Sequence, residues 1–78
     1  MKQMDDSLEN ALGGVGARLR SLRAERRLTL AGVSASTGIS VSTLSRLESG
    51  RRRATLELLM PLARIYAVTI DELVDAPA

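Results

Sequence analysis

The stretch from Leu30 to Ser49 constrains this chain most, because it holds two short helical segments parted only by Gly38, Ile39 and Ser40. Thr29 suits the N-cap of the first segment, Leu30 to Thr37, since its hydroxyl can accept from a free N–H of the first turn. Gly38 stops that segment by adopting a positive φ. Ser40 caps the second segment, Val41 to Ser49, and Gly50 ends it in the same way. So short a connection forces the two helices across each other and turns Val33, Ile39, Leu44 and Leu47 into one small core. The opposite face of the second helix then carries Ser42, Thr43, Ser45, Arg46 and Ser49.

The remaining pattern is helical throughout. Val15, Leu19 and Leu22 form the apolar stripe of a first helix, about Val15 to Arg26. Gly13-Gly14 sets off residues 1–14 as an N-terminal arm or a short extra helix, with the main domain at 15–75 and a tail or linker at 76–78. Thr55 predicts the cap of a fourth helix, Leu56 to Tyr66, with Leu56, Leu59, Leu62, Ala63 and Tyr66 as core candidates. Pro61 lies inside it and predicts a kink. Thr69-Ile70-Asp71-Glu72 reads as a capping box for a short fifth helix. No strand pattern and no internal repeat is present, so the fold class is all-α with five helices.

Composition narrows the chemistry. The 78 residues contain no Cys and no His, which removes disulfides, thiolate metal sites and the commonest general base. No cofactor, no metal and no enzymatic role is expected. No apolar run approaches the ~20 residues of a membrane span, and the acidic N-terminus is unlike a secretory signal. The expected location is the cytoplasm, with no membrane partner.

The net charge of +2 conceals segregation. Met1 to Asn10 is acidic through Asp5, Asp6 and Glu9, whereas Arg18 to Arg27 and Arg46 to Arg53 are strongly basic. A basic middle between acidic ends fits a polyanion, and it equally fits a solvated charged face. Arg18 and Arg20 read as such a solvated face. A major groove about 12 Å wide admits one helix whose short polar side chains approach base edges. On the second segment Arg46 can fork onto guanine, Ser42 can bond most bases, and Val41 can meet a thymine methyl. For Arg46 a surface salt bridge or a phosphate contact is the alternative. Ser40 stands at a helix N-terminus, which favours phosphate. The basic loop Arg51, Arg52 and Arg53 lies at the far end, placed for the DNA backbone.

The run S-T-L-S-R-L-E-S-G at 42–50, with R-L-R-S-L-R at 18–23, L-T at 28–29, T-L-E-L-L at 55–59 and V-T-I-D-E-L at 68–73, resembles the Cro/C1-type helix-turn-helix domain of phage repressors and xenobiotic-response-element regulators. The resemblance covers about Val15 to Val74. It implies a five-helix, lambda-repressor-like DNA-binding domain of a transcriptional regulator acting as a repressor, with the recognition helix at about 41–49. It implies base contacts from Val41, Ser42 and Arg46, and phosphate contacts near Thr29, Thr43, Ser49, Arg51 and Arg53. It also implies a largely buried ion pair between Arg23 and Glu48.

Domains of this architecture act as twofold dimers on half-sites about one helical turn apart. A homodimer through Ile70, Leu73 and Val74 is therefore expected, and a C-terminal sensor domain suits a longer protein. The alternative is a protein-interaction module, such as an antitoxin or a transcriptional bridging factor. Four residues depart from the family pattern. Leu30 stands where Gln is frequent, Ser34 where Ala is usual, Ala54 where Pro is common, and Ala67 where Gly is favoured.

Overall fold

A computed structural model describes the backbone of residues 2–74 and the side chains of residues 14–74. Within that span the elements are α1 (Lys2–Glu25), α2 (Leu30–Thr37), α3 (Val41–Ser49), α4 (Leu56–Tyr66) and α5 (Ile70–Leu73). The expected caps account for most boundaries. The Gly32 N–H donates to Thr29 Oγ1 at 3.0 Å, and the Glu72 N–H donates to Thr69 Oγ1 at 3.1 Å. Gly38 closes α2 at φ 79° with its N–H on the Ser34 carbonyl.

Every helix contributes to one core: Val15 and Leu19 from α1, Val33 from α2, Leu44 and Leu47 from α3, Leu59, Leu62 and Tyr66 from α4, and Leu73 from α5. α1 packs on α3 and α5, while α4 packs on α2 and α5. Two arginines tie the C-terminal part of α1 and the residue after it to later elements. Arg18 Nη1 donates to the Glu72 carbonyl at 2.8 Å, so Arg18 ties α1 to α5 and does not lie on the purely solvated face the sequence suggests. Arg26 Nη2 donates to the Tyr66 carbonyl at 2.6 Å, and its guanidinium sits 5.8 Å from the Tyr66 ring centroid, a distance that favours cation–π attraction.

Other expectations change on contact with the structure. α1 is continuous from Lys2, so Gly13-Gly14 does not divide it; glycine weakens a helix without removing its backbone donor. α4, by contrast, runs through Pro61 as the single helix the apolar pattern predicts. Thr55 has the extended backbone of an N-cap but makes no side-chain cap bond. Leu56, expected in the core, is 61% exposed. Ala67 ends α4 at φ 57°, ψ 45°, a left-handed conformation that costs a residue with a Cβ roughly 1–2 kcal/mol.

Candidate nucleic-acid interface

The outward face of α3 follows from where its apolar residues go. Leu44, Leu47 and Glu48 are buried against the other helices, and Val41, Ser42, Ser45, Arg46 and Ser49 are exposed. At about 100° per residue these five span an arc of roughly 140°. Thr43 sits at its edge, half-buried. No acidic residue stands on this arc, because Glu48, the one carboxylate of α3, points inward.

Ser40 anchors the front of the helix. Its Oγ accepts from the Thr43 N–H at 3.2 Å and donates to Thr43 Oγ1 at 2.9 Å. Ser42 Oγ lies 3.4 Å from Ser40 Oγ. Three of the sequence-derived contact residues thus form one small hydroxyl cluster at the helix N-terminus. Arg46 extends along the exposed face, its Nε donating to the Ser42 carbonyl at 3.3 Å. Its two Nη groups make no hydrogen bond among the described residues. Ser49 Oγ donates to the Arg46 carbonyl at 3.1 Å.

The Arg46 carbonyl also receives the Arg51 and Arg52 N–H groups, at 2.9 and 3.1 Å. The basic loop is therefore hydrogen-bonded directly to the end of α3, with Arg51, Arg52 and Arg53 all exposed. Thr29, at the N-terminus of α2, is exposed as well. Leu30, where a polar residue is frequent, is half-buried and packs on the core.

Behind the surface stands the ion pair. Arg23 Nε donates to Glu48 Oε2 at 2.8 Å and Arg23 Nη2 to Glu48 Oε1 at 3.0 Å, a two-pronged geometry, while Nη1 donates to the Leu28 carbonyl at 3.0 Å. The Arg23 guanidinium is held above its usual pKa by the bond to Glu48, with burial opposing. Arg20 Nε approaches Glu48 Oε1 at 3.7 Å from the solvent side. The pair ties α1 to the last turn of α3 and so fixes how α3 projects.

Sequence reasoning missed Gly16 in this junction. A Cβ placed there would meet the Leu47 carbonyl oxygen at 2.4 Å and that of Glu48 at 2.7 Å. Only a residue without a side chain lets α1 seat this closely on α3. The available signal was a glycine between two core positions, Val15 and Leu19.

The sequence-derived dimer residues differ in exposure. Leu73 is 0% exposed and closes the core, so it offers nothing to a second copy. Ile70 and Val74 are half-buried and pack on that core.

A crossed α2–α3 pair, an exposed polar and cationic helix face and an adjoining arginine loop define a helix-turn-helix domain. The chain belongs to the helix-turn-helix domain family, whose profile matches residues 15–76. It is 45% identical over 58 residues to the HTH-type transcriptional regulator DdrOP3 of Deinococcus deserti, covering 74% of this chain and 45% of that protein. The chain thus spans less than half the length of that relative. It is 43% identical over 60 residues to the HTH-type transcriptional regulator y4dJ of Sinorhizobium fredii, covering 77% and 78% of the two chains. Among solved structures, the clp gene regulator ClgR from Corynebacterium glutamicum superposes with a TM-score of 0.74 at 30% identity, over 81% of this chain and 67% of that one.

Proposed function

We propose that this chain is the double-stranded-DNA-binding domain of a transcriptional repressor and lays α3 into the major groove. The observation that carries the proposal is the free, acid-free arc of α3, continuous with Arg51, Arg52 and Arg53. Val41, Ser42 and Arg46 read base edges from the front and middle of that arc. Thr29, Ser40, Thr43, Ser49 and the three loop arginines hold phosphates on either side. The hydroxyls of Thr29, Ser40 and Ser49 keep acceptor or donor capacity beyond the bonds they make within the chain.

Domain, partners and place of action belong to the same reading. The domain works by binding rather than by catalysis, at residues 15–75, and acts as a homodimer on two half-sites in the cytoplasm. No helix among the described residues is long and apolar enough to cross a membrane. The length of DdrOP3 outside the matched region leaves room in such a protein for a further domain, which we assign to sensing.

Selection of bound duplexes from random DNA supplies the test. A defined consensus is the expected result. On the selected duplex Arg46→Ala weakens binding by about 1–3 kcal/mol and leaves non-specific affinity nearly intact. Recovery of no consensus, or equal loss on every duplex, overturns the role of Arg46 as a base reader.

A further inference from the structure

We infer that the exposed face of α4 is the surface on which a second copy of this chain docks, antiparallel and about a twofold axis. The inference deepens the homodimer proposed above and rests on that reading for its role on DNA.

The surface is defined by four side chains. Leu56 is 61% and Met60 49% exposed, the two most exposed large apolar side chains among the described residues. Glu57 and Arg64 are exposed as well. At about 100° per residue all four fall within an arc of roughly 100°, away from the buried Leu59, Leu62 and Tyr66. Neither the Glu57 nor the Arg64 side chain has an ion pair or hydrogen bond among the described residues.

Their order along the helix selects the occupant. Acid and base stand at equal distances on either side of the Met60–Pro61 step. A twofold axis through that step sets Glu57 of one copy against Arg64 of the other, twice, with the two Met60 side chains together at the centre. Such self-complementarity is what a twofold interface requires, since each surface must match its own inverted image.

Four side chains are few beside the roughly 20–30 residues a side of a stable interface. The pairing is accordingly weak in free solution and is completed when two copies sit on adjacent half-sites. The loop from Gly50 to Thr55 is the whole connection between α3 and α4, so the axis lies one helix away from each recognition segment.

Charge reversal tests this directly. All substituted positions are exposed, and circular dichroism checks that the fold is kept. On a selected duplex carrying two half-sites, Glu57→Arg and Arg64→Glu each place like charges opposite one another at two symmetric points. Each is expected to reduce cooperative filling at least about tenfold, and the doubly reversed chain is expected to recover to within about threefold of wild type. On a duplex with one half-site all three bind as wild type. Cooperativity unaffected by single reversal, a double variant no better than the singles, or one copy per two-site duplex overturns the pairing. If no duplex is bound at all, the DNA reading falls by itself, and sedimentation of the concentrated chain still decides: a dimer lost in Glu57→Arg and regained in the double variant upholds the pairing, and a monomer throughout, or a dimer indifferent to the reversals, refutes it.

Discussion

Replacing Gly16 with alanine puts opposing effects of known size against each other. In an exposed helix interior the change stabilises by roughly 0.5–1 kcal/mol, because glycine loses more backbone freedom on folding. At Gly16 the added Cβ would lie 2.4 Å from one backbone carbonyl oxygen of α3 and 2.7 Å from the next, where ordinary contact begins at 3.4 Å. α1 and α3 must therefore separate by about 1 Å. The atoms in the way are main chain of the last turn of α3, so no rotamer change relieves the clash. The separation also pulls on the Arg23–Glu48 bonds, now 2.8 and 3.0 Å. Overpacking of this kind costs about 1–3 kcal/mol, and with backbone on the receiving side the upper end applies. The net expectation is a loss of about 2 kcal/mol, or a fall in melting temperature of roughly 8–16 °C for a domain of this size. Thermal unfolding followed by far-UV circular dichroism measures it. A melting temperature equal to or above wild type would refute the claim that close approach, rather than helix propensity, governs this position.

Three further outcomes are expected. Arg23→Ala leaves the Glu48 side chain, 5% exposed, with only Arg20 at 3.7 Å, and costs about 3–5 kcal/mol in urea unfolding; a loss below about 1 kcal/mol would show that the pair is not structural. Arg53→Ala lowers affinity on all duplexes and flattens the salt slope by about one unit; an unchanged slope removes that side chain from the interface. Tyr66 is held above its ordinary pKa of 10.0 by burial and, next, by the charge of Glu48, with Arg23 and Arg26 pulling the other way. The unfolded chain thus ionises this tyrosine first, so the stability it contributes is complete below about 10 and is lost as pH rises through the folded value. Urea midpoints taken across that range should fall more steeply for wild type than for Tyr66→Phe, and parallel curves would contradict the assignment.

What could be read in advance was local. Thr29, Ser40 and Thr69 make the cap bonds their positions suggest, because a hydroxyl reaching three residues ahead depends only on neighbouring backbone. The outward face of α3 followed from the spacing of Leu44 and Leu47, which fixes one side of a helix by fixing the other. What escaped was long-range. Arg18 and Arg26 end on main-chain carbonyls at Glu72 and Tyr66, acceptors that every residue carries and no pattern marks. Gly16 matters for what comes close to it, and a propensity scale sees only its cost. Leu56 and Leu73 exchanged their expected places because apolar spacing shows that residues share a face without saying which faces find a partner. Leu73 meets the core, and Leu56 stands in solvent beside the basic loop.

The claim beneath all of this is that DNA meets the protein on the open side of α3, flanked by Thr29 and the arginine loop. Backbone amide shifts recorded while a selected duplex is titrated into labelled protein test it most directly. The account predicts the largest changes at residues 40–53, led by Ser42, Arg46 and the arginine loop, with Thr29 as an outlier in sequence only. Changes centred on α4 and α5, with residues 40–53 silent, would contradict it.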